Sequence, residues 1–259
     1  MMKTEKTGDI SIGSWCGVGH PAVAEIIAHA GFEWLALDCE HGEAETGDIG
    51  NFCRACRNQG TKPYIRVREN DVLTIRRALD LGAAGVIVPL VNSTEEAEKA
   101  VRAAHYPPRG IRGFAWHRGN HWGAEFDAYA KDFRPDLYVM IESREAVEAI
   151  DAILSVDGVD GCIIGPYDLS GSYGIPGEVD APVVREACAR VAEAAERAGK
   201  LAGQHIVVPT GERIRRAAEQ NYRLLALGVD EWFLRAGADA SLAVFREYCS
   251  SADSRKGEA

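Results

Sequence analysis

Residues 31–41 read GFEWLALDCEH: a glycine, a short apolar run and then Asp38, Glu40 and His41 in close succession. The run shows no alternation of apolar and polar residues, as a strand covered on both faces requires. Comparable runs recur at 10–15, 63–66, 85–89, 137–142, 161–165, 201–205 and 231–236. Segments with helical spacing lie between them at 72–81, 94–104, 144–154, 182–198 and 211–225. Ser93 with Glu96 three residues on makes a capping box, and Thr210 can cap the helix that follows it. Gly31, Gly60, Gly82 and Gly199 stand where helices should stop. Strands alternating with helices in this number predict an α/β fold, the (β/α)8 or TIM barrel.

A chain of 259 residues suits one such barrel. No linker or shift in composition divides it, so one domain is expected over 10–249, between polar tails at 1–9 and 250–259. The net charge of −10 argues against nucleic acid, whose phosphates call for a basic stripe. No stretch approaches the roughly 18 apolar residues of a membrane helix, and the N-terminus lacks the apolar run of a secretory signal. The 7 cysteines are scattered and odd in number, which predicts free thiols and a reducing cytoplasm.

In a barrel of this kind the chemistry gathers at the C-terminal ends of the strands. Those ends are Trp15, the segment Asp38 to His41, Arg66, Glu142 and the stretch Gly165-Pro-Tyr-Asp168. Glu142 and Asp168 close neighbouring runs. Two carboxylates with open positions between them suit a hard cation such as Mg2+ or Mn2+, although each side chain could equally cap a helix or pair with an arginine. His41 has the chemistry of a general base, with Asp38 or Asp80 to orient it. Arg66 can stabilise negative charge on a substrate oxygen; its other use is an ion pair with Asp38 or Glu40, and Arg68 competes for the role.

A Schiff-base mechanism needs a lysine inside the mouth. Lys62 and Lys200 precede their strands, and Lys3, Lys6, Lys99, Lys131 and Lys256 fall in tails, a helix and a loop. His205 ends a strand but reads as a structural histidine, and Trp34 and Trp232 as packing. Cys53-x-x-Cys56 has no second pair, and no phosphate-binding glycine motif occurs. Two connections, 105–136 and 166–181, are long. The first, with Trp116, His117, Arg118, His121 and Trp122, is expected to shape a pocket.

The opening stretch resembles the HpcH/HpaI aldolase family of the phosphoenolpyruvate/pyruvate barrel superfamily. So do Val88-Pro-Leu-Val91, YPPRGIRG at 106–113, Met140-Ile-Glu142 and GVDGCIIGPYDLS at 158–170. The similarity runs from about residue 12 to 240. It implies a class II pyruvate aldolase, which cleaves 4-hydroxy-2-oxo acids to pyruvate and an aldehyde or runs the reverse addition.

By that resemblance Glu142 and Asp168 would hold Mg2+, Mn2+ or Co2+, and His41 would be the base, acting with Asp38 and Asp80. Arg66 would bind pyruvate and stabilise its enolate. The amides around Tyr167 and Asp168 would hold the carboxylate, with Trp15 beside the pocket. A homo-oligomer is implied, a hexamer or trimer of dimers, built by exchanging the last helix at about 240–249. Met140 stands where some relatives carry glutamine and Arg68 where they carry a small residue, which leaves the aldehyde open. The rival readings are a superfamily lyase or mutase acting on a phosphonate or C4-dicarboxylate, and a non-catalytic keto-acid-binding barrel.

Overall fold

Eight parallel strands, each hydrogen-bonded to its neighbours in sequence, close into a barrel where the eighth pairs with the first. The computed structural model describes residues 10–256, with side chains as far as Ser250. The strands are β1 (Ser11–Cys16), β2 (Trp34–Asp38), β3 (Lys62–Arg66), β4 (Gly85–Val88), β5 (Asp136–Ile141), β6 (Gly161–Ile164), β7 (Leu201–Ile206) and β8 (Leu224–Val229). The helices are α1 (Pro21–His29), α2 (Thr46–Asn58), α3 (Val72–Asp80), α4 (Thr94–Ala104), α5 (Phe126–Asp132), α6 (Arg144–Glu148), α7 (Ile150–Ser155), α8 (Pro166–Ser172), α9 (Pro182–Arg197), α10 (Gly211–Glu219) and α11 (Asp230–Lys256).

The local signals that start and stop the helices are those expected. Ser93 and Thr210 accept hydrogen bonds from the amides of Glu96 and Arg213. Gly31, Gly60, Gly82 and Gly199 all take positive φ just past helix ends, where a Cβ would be strained.

The last strand departs from expectation. Residues 231–236 are not a strand but the first turns of α11, and β8 is Leu224–Val229. Leucine and alanine favour helices, so Leu224 and Leu225 continue the helical spacing of 211–225 when read as sequence alone. Asn221, at φ 64, ends α10 before them, and the Tyr222 amide closes back on the Ala217 carbonyl. Residues 144–154 likewise form two short helices, α6 and α7, which meet at Ala149.

The C-terminal boundary expected at 249 falls inside α11, while residues 1–9 lie outside those described. The connection 105–136 joins the end of α4 to the start of β5. It therefore sits at the N-terminal rim of the barrel, and the pocket it was expected to shape lies there rather than at the mouth. Its Arg118 bonds the Leu81 carbonyl at the end of α3 and lines a small cavity there with Arg57 and Trp122.

Alternation along the strands sends one set of side chains to the helices and the other to the barrel axis. Trp34, Tyr64, Tyr138, Ile87 and Ile163 fill the axis, with Trp34 and Tyr138 rings each 5.6 Å from Tyr64. Tyr64 donates to Asp136 at 2.6 Å and Lys62 reaches the same carboxylate at 2.9 Å, at the N-terminal end. Gly13 gives Trp34 its room: a Cβ there would lie 2.0 Å from the indole. Gly13→Ala is expected to lower unfolding stability by about 1–3 kcal/mol, the usual cost of overpacking. A urea denaturation midpoint equal to wild type would show that the axial packing is not as tight as described.

Candidate active site

The axial positions turn from apolar to charged at the C-terminal ends of the strands. β2 and β3 pair in the register Asp38↔Arg66, so the two side chains meet at the mouth. Arg66 donates Nε to Asp38 Oδ1 at 2.9 Å, and its Nη2 makes a very short contact with Oδ2. On the other side its Nη1 lies 3.1 Å from Glu40 Oε2, close in charge but without the alignment of a hydrogen bond. The guanidinium also lies over the Trp15 ring, 4.8 Å from its centroid. Arg68 stands outside this nest at the rim, paired with Glu45.

Asp38 uses Oδ1 a second time, accepting the amides of Glu40 and His41 at 3.0 and 3.1 Å. It therefore holds the turn that carries His41, while its charge is spent on Arg66. The His41 imidazole is exposed, with Nε2 3.8 Å from Glu40 Oε2. Burial works to raise the Asp38 carboxyl, but Arg66 and the two amides hold it below the ordinary carboxylate range. Glu40 goes the other way: burial raises it, and Arg66 only partly opposes this.

Glu142 is 5% exposed at the end of β5. Its Oε1 accepts the Leu90 amide at 2.8 Å, and Leu90 adopts φ 53, a left-handed conformation rare for leucine. Oε2 is left facing Gly165, as is Asp168 from the first turn of α8. A Cβ built on Gly165 would lie 3.1 Å from Glu142 Oε2 and 3.6 Å from Asp168 Oδ2. The two carboxylates thus converge on one place, kept open by a glycine. Burial, then the charges of Glu40 and Asp168, raise the Glu142 carboxyl above its ordinary value, with the Leu90 amide working against them.

His205, at the end of β7, points its Nε2–H at the Gly228 carbonyl, 3.0 Å away, and its ring lies 5.9 Å from Trp15. Beyond it and Tyr167, a cleft of about 330 Å3 runs between α9 and α10, lined by Arg185, Arg213 and Arg216.

Asp38, His41, Arg66, Trp15, Glu142, Tyr167 and Asp168 all belong to the mouth. Asp80 does not. It ends α3, at the opposite rim, where it binds Arg112 at 2.8 Å and stands 3.4 Å from His117. Within one chain it is not brought to His41, because a helix of this fold runs away from the mouth. Sequence reasoning missed three supporting residues. Glu40 was seen only as a neighbour of Arg66. Leu90 carries no chemical signal in its side chain. Asp230, buried at the start of α11, accepts the amides of Gly17 and Val18 and so fixes the loop after β1; its place was hidden by the misread last strand. The four lysines whose side chains are described lie away from the mouth, with Lys62 on Asp136 and Lys200 on the Val156 carbonyl.

A parallel eight-stranded barrel thus carries paired carboxylates, an arginine and a histidine at its C-terminal mouth, where enzymes of this fold keep their active sites. Residues 11–236 match the HpcH/HpaI aldolase/citrate lyase family, and the chain belongs to that family. It is 38% identical over 244 residues to a 4-hydroxy-2-oxo-heptane-1,7-dioate aldolase of Klebsiella pneumoniae, covering 93% of this chain and 91% of that one. A hydroxypyruvate/pyruvate aldolase of Roseovarius nubinhibens is 36% identical, covering 93% and 94%. A family member from Burkholderia cenocepacia of known structure superposes with a TM-score of 0.88 at 31% identity, covering 93% and 96%. The chain is a carbon–carbon lyase of the aldolase kind.

Burial, opposed in part by the Gly228 carbonyl, pushes the His205 imidazole down to about 4 from an ordinary 6.5. Its neutral form therefore adds stability that is complete above pH 6.5. That stability drains away as pH falls towards 4, because the unfolded chain binds the proton first. His205→Gln, which can keep the bond to Gly228, is expected to flatten this slope by on the order of 2 kcal/mol. Parallel stability–pH curves for wild type and variant between pH 7 and 4.5 would contradict the assignment.

Proposed function

We propose that the chain is a divalent-metal-dependent class II aldolase that cleaves 4-hydroxy-2-oxo acids to pyruvate and an aldehyde, and catalyses the reverse addition. The observation that carries this reading is the convergence of Glu142 Oε2 and Asp168 Oδ2 beside Arg66. Two carboxylates are the share a protein usually gives to Mg2+, leaving positions for water and substrate; Mn2+ and Co2+ accept the same donors. Among the described residues no three His, Cys, Asp or Glu side chains gather as a metal site, at the mouth or elsewhere, so these two carboxylates would be the chain's whole share. A cation held by Glu142 and Asp168 would polarise the keto group and favour negative charge on its oxygen.

The chain's own groups supply the rest. The amides of Tyr167 and Asp168 open α8 and have no partner within the helix, so they are free to hold the substrate carboxylate. The Trp15 Nε1–H is buried without a partner in the chain and is a further donor. In cleavage His41 takes the proton from the C4 hydroxyl, directly or through one water. The C4–O electrons form the aldehyde carbonyl, the C3–C4 pair moves to the keto acid, and an enolate results. Arg66 keeps its proton, because Asp38, Glu40 and Glu142 raise it despite burial, and its charge stabilises the enolate oxygen. Protonation at C3 then gives pyruvate. Asp80 of the same chain is out of reach of this site.

Two further aspects belong to the same reading. The cysteines among those described are free and mostly buried, which suits the cytoplasm; no described helix is long and apolar enough to cross a membrane. The subunits assemble through α11, as a hexamer or trimer of dimers. This helix packs on its own β1 and β8, yet leaves Leu234, Leu242, Val244 and Phe245 exposed. Apolar side chains at this density mark a contact surface, and a second copy exchanging residues 240–249 would cover them.

The decisive experiment is deuterium exchange into the pyruvate methyl group, followed by NMR with Mn2+ and then with EDTA. Exchange that needs the metal is expected; absence of exchange with pyruvate bound would end the aldolase reading. His41→Ala is expected to cut retro-aldol kcat/KM by about 10²–10⁴-fold, and Glu142→Ala to weaken Mn2+ binding. Full turnover in the first, or unchanged affinity in the second, would remove those roles. For the assembly, Leu242→Asp with Phe245→Asp should yield smaller particles by light scattering; an unchanged mass would place the interface elsewhere.

A further inference from the structure

Resting on the aldolase reading, the geometry points to Arg68 as the residue that selects the acceptor: its guanidinium exchanges Glu45 for a carboxylate at the far end of the aldehyde.

Tyr64 and Arg66 point into the barrel, whereas Ile65 and Val67 point to the helices. Arg68 lies two residues past β3, in the bend that leads to α3. Its guanidinium meets Glu45, at the end of the β2–α2 connection that also carries His41, so the pair stands on the rim on the His41 side of the mouth. The base acts on the C4 hydroxyl, so the aldehyde half of the substrate extends from C4 along this side.

The charges there allow one cation to receive an anion. Arg66 is 13% exposed and already faces two carboxylates, Asp38 and Glu40. A third carboxylate would add repulsion without a free charge to meet it. Arg68 has a single ion-pair partner, Glu45 at 2.7 Å, and the two side chains are 51% and 69% exposed. An ion pair this open is worth little in water, so a substrate carboxylate can replace Glu45 at small cost. Glu45 is the N-cap residue of α2, where the helix dipole favours a negative charge once Arg68 is released. A planar guanidinium can also take a carboxylate through two parallel hydrogen bonds, which favours a diacid over an equally long monoacid.

The cleft between α9 and α10 has arginines too, but it lies beyond Tyr167 and His205, on the keto-acid side. Of these, Arg213 bonds the Val208 carbonyl and Arg216 pairs with Asp180. This cleft provides an internal control.

The test uses two unreactive ligands that lack the 4-hydroxyl, 2-oxoheptane-1,7-dioate and 2-oxoheptanoate, with calorimetry in the presence of Mn2+. Wild type is expected to bind the diacid roughly tenfold more tightly, as a charge-assisted bond implies. Arg68→Ala should erase that ratio by weakening the diacid alone, leaving pyruvate methyl exchange unchanged. Glu45→Gln should widen the ratio, because the competing carboxylate is gone, and Arg213→Ala should not move it. The inference is overturned if Arg68→Ala keeps the ratio or weakens both ligands equally, or if the ratio is lost in Arg213→Ala instead. Binding and exchange without preference in wild type would remove this inference and leave the aldolase standing. Failure of both oxo acids to bind, with no exchange, would remove the two together.

Discussion

The mouth of this barrel depends on the contact between Arg66 and Asp38. The register of β2 on β3 sets these residues opposite each other, and the alternation of side chains turns both inward. A slip of one residue would send Arg66 towards the helices and Ile65 into the site. The same Asp38 carboxylate binds the amides of Glu40 and His41. One side chain therefore ties two strands together and shapes the turn that presents the proposed base. Glu40, carried by that turn, comes back onto Arg66 from the other side. The proposed base, the arginine and its second carboxylate all take their places from a single pairing.

The opposite half of the mouth is arranged by backbone. Glu142 is aimed by the Leu90 amide, and that amide points inward because Leu90 accepts a left-handed conformation. Such a conformation costs about 1 kcal/mol or more and persists only where the surroundings enforce it. Gly165 contributes by lacking a side chain, since any Cβ would enter the space that the two carboxylates share. Strain at one residue and emptiness at another thus hold two negative groups close together in a partly buried place. Their mutual repulsion is what a cation there would relieve.

Most of the barrel was legible in the sequence because its strands are covered on both faces and read as uninterrupted apolar runs. The charged residues that end those runs were legible for the same reason: a polar group at the end of a buried run has few places to go but the mouth. The eighth strand failed on this logic, since Leu224 and Leu225 fit a helix as well as a strand and only the backbone of Asn221 separates them. Asp80 is a different case: within one chain it lies at the opposite rim. Pattern places it at the end of the helix after β3, and in this fold such an end lies at the N-terminal rim. The loop 105–136 does line a cavity, but its aromatic and basic composition fits a pocket at either rim and does not say which. Leu90 and Gly165 act through φ and through absent atoms, neither of which side-chain chemistry announces.

The interior is graded along its axis, and the gradient argues for what the charged layer is for. At the N-terminal end Trp34, Tyr64 and Tyr138 fill the axis with apolar surface, and their packing needs no ions beyond the Lys62–Asp136 pair at the rim. One layer higher, the same kind of position holds Asp38, Arg66 and Glu142. Ion pairs taken out of water lose hydration that their attraction only partly restores, and apolar residues of similar volume often serve stability as well or better. The barrel already shows that it can fill its axis with aromatic and aliphatic side chains. A charged layer that stability does not require, placed at the C-terminal end where enzymes of this fold work, fits the proposed reaction. Its internal balance follows from the same need. Arg66 is neutralised enough to be tolerated out of water and still faces a site where new negative charge can form.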